Sequence, residues 1–292
     1  MIIALFGKEF NADQLIYIRI LIEKLENRGC KLLVWEPFYH FIKGNVSFNQ
    51  EVGVFNEHTD LIGKADMLFS LGGDGTMLHS VRLVRNSVIP IAGINMGRMG
   101  FLSSIPRSEI INAVDDILDQ RFRIVKRTLI NLLSPKSLFG DFSFAFNELS
   151  INKKENSSLV VVHVWVNDQL LHSYWADGLI VATPTGSTAY SLSCGGPIIT
   201  PDSSNFVITP IAPHNLSVRP VVIPDSSIIR IRVDSRDQLA LVSLDSQTAI
   251  IAPDIELVVG KADYEINLVQ RLNENFFSTL RAKLNWGSDI RN

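Results

Sequence analysis

Cysteines are scarce in this sequence, and their scarcity excludes two kinds of site. Cys30 and Cys194 are the two cysteines among 292 residues. Two cysteines cannot form a disulfide framework or a cysteine quartet around a metal ion. A reduced, cytoplasmic location is therefore expected. No histidine lies near Cys194 in the sequence, so we expect it to be structural rather than a catalytic nucleophile.

Basic charge and long apolar runs are missing as well. The formal net charge is −3 at pH 7, so the chain has no basic field for nucleic acids or anionic membranes. Apolar runs such as Leu159–Val162 fall far below the roughly 18 residues of a membrane span. Met1–Gly7 lacks a positively charged leader and a cleavage site, and is predicted to be a first strand. Neither nucleic acid nor membrane is therefore an expected partner.

The first part of the chain, residues 1–126, alternates strand and helix patterns. Asn11 can cap a helix with Gln14 at its third position, and Gly29 suits the end of that helix. Residues 37–56 have no clear period and stay unassigned. The predicted strands are Ile2–Phe6, Lys31–Trp35, Ala65–Leu71 and Val88–Ile94, and a further helix covers residues 110–118. This alternation predicts a doubly wound α/β domain, whose ligands bind beyond the carboxyl ends of the strands.

From about Arg127 the pattern changes to short strands rich in valine and isoleucine. The predicted strands are Leu159–Val166, Leu170–Trp175, Ile228–Val233, Leu239–Leu244 and Ile255–Val259. Turn signals such as Asn167-Asp168 separate them. Residues 127–274 are therefore predicted to form an all-β sandwich domain. The segment 275–292, with a short helix at Phe276–Leu284, is expected to pack back on the first domain.

A glycine-rich turn, Leu71–Thr76, joins a predicted strand to a predicted helix. Free backbone N–H groups and the positive helix end converge there, which favours an anion such as phosphate. Asp74 is unfavourable beside a phosphate unless it holds a metal ion or accepts a proton; alternatively, it only caps the helix. A second loop with glycines, Asn95–Leu102, is expected to line the same crevice. Two nearby basic residues, His79 and Arg98, could touch phosphates at these loops, but basic residues of helices and loops are usually solvated, and that is the expectation here.

A second chemical stretch, Asp177–Pro197, combines hydroxyl side chains with an aromatic ring at Tyr190. Hydroxyls and backbone amides around a ring suit a nucleoside, although such a loop is often only a solvated turn. Upstream, Asn147 and Glu148 place an amide beside a carboxylate. This pair can clamp a ribose diol or an adenine edge, or can simply end a strand.

These stretches together resemble the NAD kinase family. The matching pieces are Gly72–Thr76, Asn95–Leu102, Asn147-Glu148, Asp177–Pro197, Pro213–Pro220 and Lys283–Gly287. The glycine turn alone is shared with phosphofructokinases and lipid kinases, whereas the block around Thr183–Ser193 is specific. The resemblance implies an α/β domain followed by a β-sandwich. It also implies transfer of the γ-phosphoryl group of ATP, or of another phosphate donor, to the 2′-hydroxyl of the adenosine ribose of NAD. A divalent metal ion such as Mg²⁺ and a homodimer or homotetramer are implied as well.

The same resemblance assigns roles to individual residues. Asp74 would accept the proton of the ribose hydroxyl, and no residue is assigned to a metal. The residues expected to bind the dinucleotide are Gly75, Asn147, Glu148, Asp177, Thr188, Ala189, Tyr190, Ser191, Leu192, Ser193 and Gln247. Asp177 would reach the dinucleotide of a neighbouring subunit. Two departures weaken the match: Ser246 replaces a glycine common before Gln247, and Trp175 stands where some members have a basic residue.

Three other functions share part of this pattern. A lipid kinase would need an exposed apolar groove in the β domain, and a sugar kinase such as phosphofructokinase would lack the Asn147-Glu148 and Tyr190 blocks. A non-catalytic NAD(P) sensor would gain from losing the charge of Asp74 beside phosphates. Formation of NADP from NAD and ATP separates all three from a NAD kinase.

Overall fold

The computed structural model describes residues 1–97, 100–154, 159–234, 239–252 and 255–286. The described chain divides into two compact units. The first, called the α/β unit, contains Met1–Lys126 and the described residues from Ile266 onward; the second, called the β unit, is Arg127–Glu265. Among the described residues, no helix is both long and apolar enough to cross a membrane.

The helices and strands have the following bounds. The α-helices are α1 (Ala12–Asn27), α2 (Glu36–Ile42), α3 (His58–Leu61), α4 (Asp74–Val84), α5 (Ile110–Leu118), α6 (Tyr190–Ser193) and α7 (Phe276–Leu284). The strands are β1 (Ile2–Gly7), β2 (Lys31–Trp35), β3 (Gly53–Phe55), β4 (Met67–Leu71), β5 (Ile91–Asn95), β6 (Ile105–Pro106), β7 (Phe122–Arg127), β8 (Ile130–Ser134), β9 (Phe144–Ala145), β10 (Glu148–Lys153), β11 (Val160–Val166), β12 (Gln169–Ala176), β13 (Gly178–Ala182), β14 (Asn205–Ile211), β15 (Val221–Pro224), β16 (Ile229–Asp234), β17 (Ala240–Leu244), β18 (Gln247–Ile251), β19 (Glu256–Lys261) and β20 (Ile266–Arg271).

The α/β unit is built on a sheet with the strand order β3-β2-β1-β4-β5-β20-β7, and β6 also pairs with β5. The pairs from β3 to β5 are parallel, as the alternating sequence predicted. The chain leaves β1 toward β2 and β3, then returns to the other side of β1 at β4. Ligands of such sheets bind beyond the carboxyl ends of the strands at this reversal. The glycine turn directly follows β4, so it lies at the reversal.

Local signals in the first helix are confirmed in detail. Asn11 accepts a hydrogen bond from the backbone N–H of Gln14 at 3.0 Å, and the side chain of Gln14 accepts one from the backbone N–H of Asn11 at 3.0 Å. Ile18, Ile22 and Leu25 are fully buried on one face of α1. The reciprocal cap fixes where the helix begins, and the apolar stripe fixes which face packs on the sheet.

The β unit is a sandwich of two six-stranded sheets. Their strand orders are β15-β14-β13-β10-β17-β18 and β12-β11-β16-β19-β8-β9. Their inner faces share one buried core, to which Leu149 and Val181 contribute from one sheet and Val162 and Ile231 from the other. The predicted sandwich is confirmed, because alternating side chains of both sheets face a common interior.

Several elements were not predicted. Residues 37–56, left unassigned, contain most of α2 and all of β3. The five strands predicted in the β unit are present, but β13 and its neighbours β10 and β14 were not named as strands. The predicted helix at Phe276–Leu284 is confirmed as α7. The sequence predicts that the chain returns to the first domain at residue 275, whereas β20 at Ile266–Arg271 already belongs to the sheet of the α/β unit.

Candidate active site

The carboxylate of Asp74 is fixed by three consecutive backbone N–H groups of the second glycine loop. Phe101 donates to Oδ2 at 2.8 Å, and Leu102 and Ser103 donate to Oδ1 at 3.0 and 3.2 Å. Asp74 is the first residue of α4, where the positive end of the helix stabilises a negative charge. The two glycine loops therefore meet at this carboxylate, as the strand order predicts.

The alternative in which Asp74 only caps the helix does not fit this geometry. The N-cap residue of α4 is Gly73, and no side chain caps the helix there. The carboxylate instead reaches a loop that follows the neighbouring strand. Among the described contacts Oδ2 accepts one N–H, so it keeps a lone pair that a substrate hydroxyl can approach.

Gly100 is needed because the Asp74 carboxylate packs directly against it. An ideal Cβ at residue 100 would lie 1.8 Å from Oδ1 of Asp74.

We expect Gly100→Ala to displace this carboxylate and lower kcat by about 10–100-fold, since a displacement of about 1 Å costs on that order. The matched control is Gly44→Ala, where a Cβ meets nothing within 4 Å. Steady-state kinetics with thermal unfolding of both variants test this, and wild-type kcat in Gly100→Ala would contradict it.

Two basic side chains lie close together near the glycine turn. Lys8 follows β1 and its Nζ is 3.4 Å from Nε2 of His79 on α4. The ring of His79 stacks on that of Phe6, with centroids 6.3 Å apart. Burial lowers the pKa of His79, and the charges of Lys8 and Arg82 lower it further. His79 is therefore partly buried and not solvated as predicted, whereas Arg98 lies outside the described residues.

In the β unit, the backbone of Asn147 and Glu148 is held from several sides. The carboxylate of Asp245 accepts the N–H groups of Asn147 and Glu148 at 2.9 and 3.2 Å. The backbone N–H of Thr183 donates to the carbonyl of Asn147 at 2.8 Å. The block around Thr183 and the Asn147-Glu148 pair, separate in the sequence, are thus in contact.

The Glu148 carboxyl group has an unusual environment. Its Oε2 is buried and has no hydrogen-bond partner among the described residues. Burial raises the pKa of Glu148 to about 8, and the negative charge of Asp245 contributes to this, while the backbone N–H of Tyr190 opposes it. A proton is therefore retained on this carboxyl group near neutral pH.

The predicted segment Thr188–Ser193 forms the end of a 3₁₀ turn followed by α6. Thr188, Ala189 and Leu192 are partly buried, and Tyr190 and Ser193 are exposed, so these five can face a ligand. Ser191 is placed differently from the prediction: its side chain is fully buried and its hydroxyl hydrogen-bonds that of Thr209 at 2.9 Å. We therefore leave Ser191 out of the proposed site.

The other predicted residues have partners within the protein. Asp177 forms an ion pair with Lys153 at 2.7 Å. The side chain of Gln247 donates to the carbonyl of Phe142 at 3.2 Å. Asp245 and Ser246 form the turn between β17 and β18, and Asp245 takes the positive φ of 51°. Aspartate tolerates this conformation better than most residues, so the turn forms although Ser246 replaces glycine.

A doubly wound sheet with an acid in its glycine turn, followed by a β-sandwich with polar groups at its backbone turns, defines a two-domain nucleotide kinase. Two family models match the chain: the ATP-NAD kinase N-terminal domain over residues 3–122 and the ATP-NAD kinase C-terminal domain over residues 146–271. The chain belongs to the NAD kinase family, and it is a kinase that phosphorylates NAD.

Individual relatives agree over the full length. The chain is 45% identical over 293 residues to the NAD kinase of Cytophaga hutchinsonii and 43% identical over 294 residues to that of Christiangramia forsetii, covering 100% of both chains in each case. The structure is similar to that of yeast NADH kinase complexed with NADH, with a TM-score of 0.86 and 25% identity, covering 100% of this chain and 89% of the yeast chain. An NAD kinase from Archaeoglobus fulgidus in complex with ATP shares the fold, with a TM-score of 0.76 and 23% identity, covering 98% of this chain and 99% of that one.

Proposed function

We propose that this protein transfers the terminal phosphoryl group of ATP to the 2′-hydroxyl of the adenosine ribose of NAD, and that Asp74 accepts the hydroxyl proton. The new bond joins the 2′-oxygen to the γ-phosphorus, the bond from that phosphorus to the bridging oxygen breaks, and ADP leaves. The observation that carries this proposal is the Asp74 carboxylate, held by three backbone N–H groups at the strand-order reversal. A carboxylate held this rigidly is suited to one proton transfer in one geometry.

The donor phosphates are proposed to bind at the glycine turn. An ideal Cβ at Gly73 or Gly75 meets nothing within 4 Å, so the space beside both α-carbons is open. These N–H groups belong to the positive end of α4. Lys8 and His79 add cationic and donor groups at the neighbouring strand end, which suits a triphosphate.

We expect Lys8→Ala to raise KM for ATP about five- to tenfold and to leave KM for NAD within twofold, because one charge-assisted contact to phosphate is lost. Lys64→Ala is the matched control, since Lys64 is exposed and precedes β4, at the amino end of the strand whose carboxyl end carries the glycine turn. Kinetics at fixed, saturating NAD measure the effect. An equal rise in both KM values, or none, would contradict this placement of the donor.

A divalent metal ion, proposed to be Mg²⁺, would enter the site bound to the phosphates of the donor. No group of three or more histidine, cysteine, aspartate or glutamate side chains suited to a metal occurs in the described parts of the chain. Mg²⁺ commonly uses one or two carboxylates together with substrate phosphates. When bound, the ion would neutralise charge on the transferred phosphoryl group, and Asp74, the carboxylate at the glycine turn, would be the residue to contact it.

The dinucleotide is proposed to bind the β unit through Asn147, Glu148 and the segment Thr188–Ser193 without Ser191. The exposed ring of Tyr190 offers a stacking face for a base. The side chain of Glu148 is partly exposed, so its carboxyl group can offer a hydrogen-bond position to a ribose or adenine group. NADH bound to the yeast relative supports this role for the shared fold. Gln247, Gly75 and, from a neighbouring subunit, Asp177 remain proposed contacts.

A homodimer or homotetramer and a cytoplasmic location complete the proposal. Both cysteines are free, which agrees with a reducing compartment. The decisive experiment on function is a coupled assay of NADP formation from NAD, ATP and Mg²⁺ with the purified chain, repeated with NADH and with inorganic polyphosphate. NADP formation from NAD supports the proposal, and tight NAD binding without any phosphorylation would replace it with a non-catalytic sensor.

A further inference from the structure

Asp245 holds its neighbours in the same way that Asp74 holds the second glycine loop. Its Oδ2 accepts the backbone N–H of Phe146 at 2.8 Å, and its Oδ1 accepts those of Asn147 and Glu148 at 2.9 and 3.2 Å. The backbone N–H of Asp245 also donates to the carbonyl of Glu148 at 3.0 Å. A single aspartate in a hairpin turn thus fixes three consecutive residues, two of which are proposed to bind the dinucleotide.

The opposite side of the same segment is held by the block around Thr183. The hydroxyl of Thr183 donates to the carbonyl of Phe146 at 2.7 Å, and its N–H donates to that of Asn147 at 2.8 Å. An ideal Cβ at Gly186 would lie 2.1 Å from the carbonyl oxygen of Asn147. With its N–H groups and carbonyl groups both engaged, the segment cannot shift without breaking several hydrogen bonds.

The charge of Asp245 acts on the Glu148 side chain. From the turn between β17 and β18, Asp245 is the negative group that faces Glu148. From α6 come the backbone N–H and the hydroxyl of Tyr190 and the thiol of Cys194, and Asp177 also acts on Tyr190. Two carboxyl groups that act on each other do not both ionise readily when one is buried. Burial is the main cause of the raised pKa of Glu148 and the charge of Asp245 adds to it, so Glu148 is the group that keeps a proton.

We propose that Asp245 is a positioning residue for the dinucleotide site: it fixes the Asn147-Glu148 backbone and places a negative charge that acts on the Glu148 carboxyl group. The kinetic test of this inference rests on the proposed function. The titration of Glu148 in the free protein tests it without any turnover. The hairpin between β17 and β18 would then position the backbone of Glu148 through Asp245, besides contacting the dinucleotide through Gln247.

The test compares Asp245→Asn with Asp245→Ala. Asp245→Asn keeps an oxygen for the N–H groups of Asn147 and Glu148 but removes the charge, so the Glu148 titration should move to lower pH, while burial still holds it above its ordinary value. Carboxyl ¹³C NMR of the free protein, assigned with Glu148→Gln, follows this directly. The pH inflection of kcat/KM for NAD should move by the same amount. Asp245→Ala also loses the backbone bonds and should raise KM for NAD at least tenfold.

A matched control is Asp168→Asn. Asp168 also lies in a two-residue hairpin turn with positive φ, at 66°, but its side chain is 89% exposed. This variant should leave both the Glu148 titration and KM for NAD unchanged. An unchanged Glu148 titration in Asp245→Asn would overturn the proposal even if Asp245→Ala fails to fold. Absence of NADP formation by the wild-type protein would instead overturn the proposed function and leave the NMR result to stand by itself.

Discussion

Asp74→Ala is expected to lower kcat about 10²–10⁴-fold while the dissociation constant for NAD stays near that of the wild type. General-base assistance by a positioned side chain is typically worth this factor, and it acts only in the transition state. The measurements are kcat from the coupled assay and NAD binding by calorimetry. Wild-type turnover in Asp74→Ala would remove Asp74 from the mechanism.

Because Asp74 also holds Phe101, Leu102 and Ser103, the alanine variant alone cannot separate catalysis from loop positioning. Asp74→Asn separates them, since its amide oxygen can still accept the N–H groups of Leu102 and Ser103. If Asp74 is the proton acceptor, both variants lose turnover to a similar extent. Recovery of more than a tenth of wild-type kcat in Asp74→Asn would show that the loop contact is the main function of this side chain.

Glu148→Gln is expected to stabilise the folded protein, and increasingly so as the pH rises from about 5 to about 8. The folded-state pKa of Glu148 is about 8, above its ordinary value of 4.5. The favourable contribution of this group is therefore complete below about 4.5 and is lost as the pH rises through the folded-state value. Glutamine does not ionise, so the variant escapes this loss.

The expected gain for Glu148→Gln in the free energy of unfolding at pH 8 is about 2–4 kcal/mol, because each pKa unit corresponds to about 1.4 kcal/mol and the unfolded reference reduces the total. Denaturant unfolding at pH 5, 6.5 and 8 measures the difference between variant and wild type. Glu51→Gln, at an exposed glutamate, is the control and should show a constant difference near zero. Parallel curves for Glu148→Gln and wild type would mean that Glu148 ionises normally in the folded state.

The sequence predicts best those features that depend on neighbours along the chain. The reciprocal Asn11–Gln14 cap is a local pattern, and it forms as expected. Residues 37–56, which the sequence does not assign, contain most of α2 and all of β3, whose aromatic and polar residues follow neither the helical nor the strand period clearly. The sequence of β13 predicts a site segment but no strand, because a fully buried strand shows no alternation of apolar and polar residues.

At the candidate site, too, the sequence predicts the local features and misses the long-range ones. The motifs locate Asp74, Asn147 and Glu148, but the groups that hold them come from residues far away in sequence. Asp245 lies 97 to 99 positions from the N–H groups that it accepts, and no local pattern reports such a contact. Ser191 shows the converse error: a hydroxyl in a polar motif predicted a ligand contact, whereas packing directs it to Thr209.

The most direct test of the proposed chemistry is a crystal structure of the Asp74→Asn protein with NAD and ATP, in which turnover is slow enough to trap both substrates. We predict the 2′-oxygen of the adenosine ribose within about 2.6–3.2 Å of the residue 74 side chain, in line with the γ-phosphorus of the donor. A 2′-oxygen that contacts only solvent, with a different protein group beside it, would contradict the assignment of Asp74 as the proton acceptor.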